Sequence, residues 1–249
     1  MKKLLILPIL ALLLCSCSGG NSPDDKDIIV GASPTPHAQI LEVAKPLVEA
    51  KGYKLTIKTF DDYVTPNLSL DSGDLDANYF QHTPYLEDFN AKNSTDLVGV
   101  LKVHFEPMGI YSQDFTALTI RHLVGAKIAV PNDTSNKERA MNLLNEHFKD
   151  NLANFEIIEA EAQSLPALLP DVDYAVINGN YALSSKITDK CIVTESSDSE
   201  IAQRNANIIA VKKEYKDKPF VKVLCDAIAS DEVRSFIESE FGSSVKVVF

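Results

Sequence analysis

An α/β fold divided into two lobes is what this sequence predicts, on three observations. Short apolar runs alternate with stretches whose apolar residues fall at helical spacing. The alternation runs its course in the first half and restarts near Lys127. A further strand at Asn207–Val211, followed by two helices, closes the chain. Strand–helix alternation of this kind argues for helices covering mainly parallel sheets. Two successive units argue for two lobes, and ligand sites tend to lie between such lobes.

Ile28-Ile29-Val30 predicts the first strand. Ile40, Leu41, Val43, Ala44, Leu47 and Val48 share one helical face, with Pro46 as the expected site of a kink. Leu55 and Ile57 alternate with polar residues as a second strand. Thr65-Pro66 reads as an N-cap followed by a first-turn proline, and Gly73 as the stop of the same helix. A strand at Ala77–Phe80, a helix from about Pro84 to Ala91, and strands at Leu97–Val103 and Met108–Tyr111 complete the first unit. In the second, Lys127–Pro131 is a strand, and Met141, Leu143, Leu144 and Phe148 give the next helix its apolar side. Phe155–Ile158, a short helix around Leu165–Leu169 and Tyr174–Ile177 follow. The closing helices are expected at about Lys218–Ala229 and Asp231–Phe241.

The N-terminus carries a different message. Lys2 and Lys3 precede the apolar run Leu4–Leu14, which is too short to span a bilayer but suits a signal-peptide core. It ends in Leu14-Cys15-Ser16-Cys17, a pattern that resembles the lipobox of bacterial lipoproteins, cleaved before the cysteine and acylated on it. Residues 1–16 are therefore read as a lipoprotein signal peptide, Cys17 as the lipidation site, and 17–26 as a flexible tether. The expected location is the cell envelope, anchored to a membrane by lipid and facing the periplasm or exterior. About 230 residues remain, enough for one large or two small domains. With 45% hydrophobic and 24% charged residues, the chain has the composition of a packed globular protein. The net charge of −11 argues against nucleic acid as a partner. Cys191 and Cys225 form neither a metal spacing nor a redox motif and are read as structural.

Three groups of residues could carry function. In Val130-Pro-Asn-Asp-Thr-Ser-Asn-Lys-Glu-Arg139, Ser135 and Glu138 have capping-box spacing, so a helix is expected to start at Ser135. Arg139 then falls in the first turn, where the helix dipole disfavours a cation unless an anion joins it. A ligand carboxylate gripped by the guanidinium fork satisfies this, as does a salt bridge to Asp133 or another acid. The second group is Tyr63, Phe80, His82 and Tyr85, at the ends of predicted strands. They suit either an apolar pocket with polar tips or ordinary core. His82 lacks a second histidine nearby, and His104 and His122 stand without ligand-like company, so no metal site is read. The third group places asparagines beside apolar strands at Asn178 and Asn207. An amide both donates and accepts, which suits an α-amino acid; turn formation is the plainer explanation. With no nucleophile elbow and no phosphate-cradling loop, no cofactor or enzymatic role is expected.

These residues also spell out a family. The chain resembles the NlpA/MetQ methionine-binding lipoproteins, the substrate-binding proteins of ABC importers. The likeness lies in Phe60-Asp-Asp-Tyr-Val-Thr-Pro-Asn67, Gly73-Asp-Leu-Asp-Ala-Asn-Tyr-Phe-Gln-His-Thr-Pro-Tyr85 and Glu106-Pro-Met-Gly-Ile-Tyr-Ser112. It continues through Val130–Arg139 and Ala175-Val-Ile-Asn-Gly-Asn-Tyr-Ala182. Thr134 stands where the family commonly has proline, and Arg204-Asn205 where it often has Pro-Tyr.

The resemblance implies a two-lobed, periplasmic-binding-protein-like fold of type II, a Venus flytrap whose cleft closes on its ligand. Tyr63, Phe80, His82 and Tyr85 would surround a methionine side chain. Arg139, helped by Asn136, would hold the carboxylate, and Asn178 and Asn207 would complete the polar contacts. Lobe one would take 27–112 and 207–249, and lobe two 113–206. Cys191 and Cys225 would then lie in different lobes, unbridged. The expected partners are L-methionine and the permease and ATPase of an ABC importer, with the chain itself a monomer. The alternatives are another apolar amino acid or a methionine-containing dipeptide in the same fold, or a surface lipoprotein acting as an adhesin or antigen.

Overall fold

The computed structural model describes residues 26–118, 125–148, 153–197 and 200–249. The signal peptide, Cys17, nearly all of the tether and His122 lie outside the described residues. The first lobe is built on a sheet of six described strands. These are β1 (Asp27–Ala32), β2 (Lys54–Thr59), β3 (Ala77–His82), β4 (Leu97–Phe105), β10 (Asn207–Lys212) and β11 (Lys246–Val247), in the order β11-β4-β10-β3-β1-β2. The second lobe is built on five, β5 (Gly109–Tyr111), β6 (Lys127–Pro131), β7 (Glu156–Ala160), β8 (Tyr174–Ile177) and β9 (Cys191–Thr194), in the order β7-β6-β8-β5-β9.

Both sheets are mixed, not mainly parallel as the alternation predicts. β1 pairs in parallel with β2 and β3, and β6 with β7 and β8. The strands next to the lobe crossings, β5 and β10, pair antiparallel to their neighbours because they enter each sheet from the opposite lobe. The first crossing also comes earlier than the sequence reading places it. Gly109–Tyr111 belongs to the second sheet, so the chain changes lobe at 106–108 and not after 112. It returns between β9 and β10, through the short helix α7 (Glu200–Arg204).

Alternation along each strand sorts residues to two faces. On the first sheet, Ile28, Val30, Tyr79 and Ile209 are buried against α1 (Gln39–Glu49), α8 (Pro219–Ile228) and α9 (Asp231–Phe241). The helices supply Ile40, Leu41, Ala44 and Val48, then Phe220 and Leu224, then Val233 and Ile237. α1 runs through Pro46 to Glu49, because the buried face on either side of the proline outweighs its missing N–H. The opposite face is covered by α2 (Thr65–Ser72) and α3 (Thr83–Asn93), through Leu70 and Leu86. Gly73 does end α2, with φ of 90°, the left-handed region that favours glycine. Thr65 is not its N-cap. Val64 takes that position, and the Asp62 carboxylate accepts from the Val64 and Thr65 amides, both at 2.7 Å.

In the second lobe, Ile128, Val130 and Val176 face α4 (Thr134–Phe148) through Ala140, Leu143 and Leu144. Ala129, Ala175 and Ile177 face the other way, toward α5 (Leu165–Leu168) and α6 (Gly179–Ser184). That second face forms one apolar cluster with Tyr63, Phe80 and Tyr85 of the first lobe, so the cleft between lobes is lined from both sides. Cys191 in β9 and Cys225 in α8 are free thiols, one in each lobe.

Candidate ligand-binding cleft

One pocket between the lobes is lined by every residue singled out for ligand contact. The first lobe contributes Tyr63, Phe80, His82, Tyr85 and Asn207, and the second Asn136, Arg139 and Asn178. The space they frame, including its opening to solvent, is about 330 Å3. Gln81, Glu106, Gly179 and Asn180 complete the lining.

The ring wall is a mutual packing of edges and faces. Tyr63 lies 5.8 Å from Phe80 and 5.9 Å from Tyr85, and Phe80 lies 5.9 Å from Tyr85, centroid to centroid. The Tyr85 hydroxyl donates to the Tyr63 backbone carbonyl at 2.9 Å, which fixes the Tyr85 ring. Tyr181, which the sequence reading did not single out, stands 4.9 Å from Tyr63 and donates its hydroxyl to the Asp61 carbonyl. The Tyr63 hydroxyl in turn donates to Asn180 Oδ1 at 2.6 Å. These two bonds join the lobes directly.

His82 is held by local geometry. It is the N-cap of α3, and its Nδ1 accepts from the Tyr85 amide at 3.2 Å. Nε2 is therefore the protonated nitrogen, and it donates to Asn136 Oδ1 at 3.1 Å. Burial, and then the positive charge of Arg139, push the His82 pKa down to about 3, so the ring is neutral. Asn136 Oδ1 also accepts from Asn178 Nδ2 at 2.9 Å, while its own Nδ2 donates to Asp133. The four side chains form one network with the donor direction set at each step.

α4 starts one residue before the expected Ser135. Its cap is Asp133, whose carboxylate accepts from the Asn136 amide at 2.9 Å and from the Ser135 hydroxyl at 3.1 Å. Asp133 is thus occupied, and the acid that meets Arg139 is Glu195. Arg139 Nε donates to both Glu195 oxygens at 2.8 and 2.9 Å, and Nη2 donates to Oε2 at 2.6 Å. Nη2 also donates to the Glu106 carbonyl at 2.8 Å, and Glu195 Oε2 accepts from the Met108 amide at 2.9 Å. Glu106, Met108 and Glu195 all belong to the segments that cross between lobes. The guanidinium is therefore fixed against the hinge while it borders the pocket.

Behind the pocket lies a buried polar cluster. His37 Nε2 lies 3.1 Å from Asn207 Oδ1 and 3.4 Å from Glu106 Oε1. His104 Nε2 donates to the same Glu106 oxygen at 2.6 Å, and its Nδ1 faces the Tyr79 hydroxyl. This corrects the reading of His104 as a histidine without company. Burial pushes His37 down to about 4 and His104 to about 3, so both rings are neutral and neither forms an ion pair with Glu106. The three side chains offer donor atoms within 4.8 Å of one another. Both His104 nitrogens are engaged in hydrogen bonds, however, so the arrangement is a hydrogen-bonded chain ending on a carboxylate.

Glu106, Asn180 and Tyr181 sit inside the motif runs quoted from the sequence, next to residues that were chosen. Glu195 and His37 carry no sequence signal of their role. Comparison with known proteins places the chain in a family. The model of the NlpA lipoprotein family matches residues 28–147 and 145–249. The chain belongs to the NlpA lipoprotein family. Relatives in and around this family include the methionine-binding lipoprotein MetQ of Bacillus subtilis, 32% identical over 98% of both chains. Among solved structures, a nutrient-binding protein from Burkholderia cenocepacia bound to methionine is 37% identical, with a TM-score of 0.81 over 89% of this chain and 100% of that one. A periplasmic ABC-transporter substrate-binding protein from Coxiella burnetii is 36% identical, with a TM-score of 0.82 over the same shares. The fold is the two-lobed α/β architecture of such substrate-binding proteins, as NlpA membership implies.

Proposed function

We propose that this chain is the receptor of an ABC importer, that it binds L-methionine in the cleft between its lobes, and that it hands the amino acid to a permease driven by an ATPase. The observation that carries this reading is the joining of an aromatic wall and a polar cluster in one buried pocket. A thioether is apolar and polarizable and gains from contact with rings such as Tyr63, Phe80 and Tyr85. Arg139 and Asn136 would take the carboxylate, with Asn178 and Asn207 completing the contacts to the amino-acid backbone. Likeness to a methionine-bound protein and to MetQ supports the choice of ligand. Family membership supports lipid anchoring through Cys17 at the cell envelope, on the tether 17–26. Held there as a monomer, the receptor stays close to its permease, which raises the local concentration of loaded carrier. No bond is made or broken in this cycle.

The test is a calorimetric titration of the mature domain after unfolding, removal of bound ligand and refolding. Saturable heat with L-methionine is expected. Heat with another amino acid and none with methionine would overturn the ligand, and no small-molecule heat at all would favour an adhesin.

A further inference from the structure

We propose that Glu106 receives the α-ammonium group of the bound amino acid, and that the site recognises this end of its ligand more strongly than the carboxylate. The proposal rests on the amino-acid reading above and names the group on which its selectivity turns. Glu106 is the only carboxylate among the described residues lining the pocket, and it is 4% exposed. Its Oε1 is engaged from behind by His104, which is itself fixed by Tyr79. Because His104 is neutral, this chain orients the carboxylate without cancelling its charge. Oε2 lies on the side of Gly179, 3.3 Å from where a β-carbon on that glycine would stand, and Gly179 also lines the pocket.

A second, independent feature points to a donor in the same place. Asn178 Oδ1 is buried without a hydrogen-bond partner, although the Nδ2 of the same amide is given to Asn136. A buried acceptor left unpaired is costly, and an ammonium offers three donors and no acceptor. Asn178 and Glu106 both face the pocket, so one ammonium can serve both.

The third feature is the charge balance. Arg139 is compensated by the two-oxygen contact with Glu195, and His37, His82 and His104 are neutral. The Glu106 carboxylate is left without a counter-ion among these groups. Burial pushes its pKa up, opposed by the charge of Arg139 and a hydrogen bond from the Asn180 backbone, and a ligand cation beside it would favour the ionised form. A zwitterion places its positive end there. A ligand with only a carboxylate would bring a second anion to a site whose arginine is already paired.

The experiment compares three ligands on the refolded wild-type protein: L-methionine, L-methioninamide, which keeps the ammonium, and 4-(methylsulfanyl)butanoate, which keeps only the carboxylate. The deamino acid is expected to bind at least about a hundredfold more weakly than methionine, because sites built around a polar group reject analogues that lack it. The amide is expected to lose only about tenfold. A deamino acid within about tenfold of methionine, or an amide weaker than the deamino acid, would overturn the proposal. In Glu106→Gln the penalty on the deamino acid should shrink about tenfold, and an undiminished penalty refutes the assignment. If that variant does not fold, the wild-type comparison decides alone. Should none of the three ligands give heat, the methionine reading itself fails; methionine binding without amine preference defeats this inference only.

Discussion

The ion pair between Arg139 and Glu195 makes a sharp prediction about stability. Arg139 is the obvious residue to remove when testing carboxylate recognition, and a residue that did nothing but grip a ligand could be lost without harm to the fold. The structure says otherwise. The Arg139 and Glu195 side chains are 6% and 8% exposed, and Arg139→Met would leave a buried carboxylate with only the Met108 amide for company. Breaking a buried pair by removing one partner costs about 3–5 kcal/mol. That is a large share of a domain's usual 5–15 kcal/mol of stability, taken as roughly that range. Glu195→Gln should cost a similar amount, since it strands the guanidinium beside the Glu106 carbonyl. The double variant strands neither charge, so its loss should be no larger than that of either single change. Urea unfolding of the three variants closes the cycle, with a coupling expected at about 3 kcal/mol. Losses that add within about 0.5 kcal/mol would refute the argument that the two side chains act as one unit. A binding defect in Arg139→Met alone is therefore to be read beside its stability.

Acid should destabilise the fold through its neutral histidines. His37, His82 and His104 are held at about 4, 3 and 3 against an ordinary 6.5, so the unfolded chain takes up protons first as pH falls through 6.5. At pH 5.5 each costs about 1.4 kcal/mol, or about 4 kcal/mol together. Glu106, pushed up by burial, works in the opposite sense above 4.5 and trims that sum. Urea midpoints that coincide at pH 7.5 and 5.5 would contradict this. Gly179→Ala should disturb the pocket, since its β-carbon would stand 2.8 Å from Glu106 Cβ and 3.2 Å from the Pro107 carbonyl. A loss of about 1–3 kcal/mol in unfolding free energy is expected, with weaker ligand binding; wild-type values for both would count against the close approach. Tyr181→Phe removes the bond to the Asp61 carbonyl that joins the lobes, without touching the polar cluster. Ligand affinity should fall about fivefold, from one neutral hydrogen bond of about 1 kcal/mol, and an unchanged Kd would show that this contact does not favour closure.

Much of this molecule is local in origin, and that part was legible in the sequence. A continuous apolar run marks Tyr174–Ile177 and a helical period marks Asp231–Phe241, because burial of both faces in the first and of one face in the second leaves its pattern in the chain. The residues bordering the cleft cluster in short runs at strand ends, so Phe80, His82 and Tyr85 could be picked out together. Their neighbours Asn180 and Tyr181 were within sight but not distinguishable, since asparagine and tyrosine have many structural uses.

What only the tertiary structure decided is pairing across distance. Nothing near Arg139 announces Glu195, 56 positions away, and the local candidate Asp133 is used up in capping its own helix. His37 meets Asn207 across 170 positions, and His104 finds Tyr79 only because β4, β10 and β3 lie side by side. The mixed order of the sheets and the crossing at 106–108 follow from how the chain returns between lobes, which leaves no period to read. The sequence by itself determined which groups are present and which faces they share. Folding decided which charges neutralise one another, because that depends on approach and burial, and so it decided that Glu106 is the group left unbalanced.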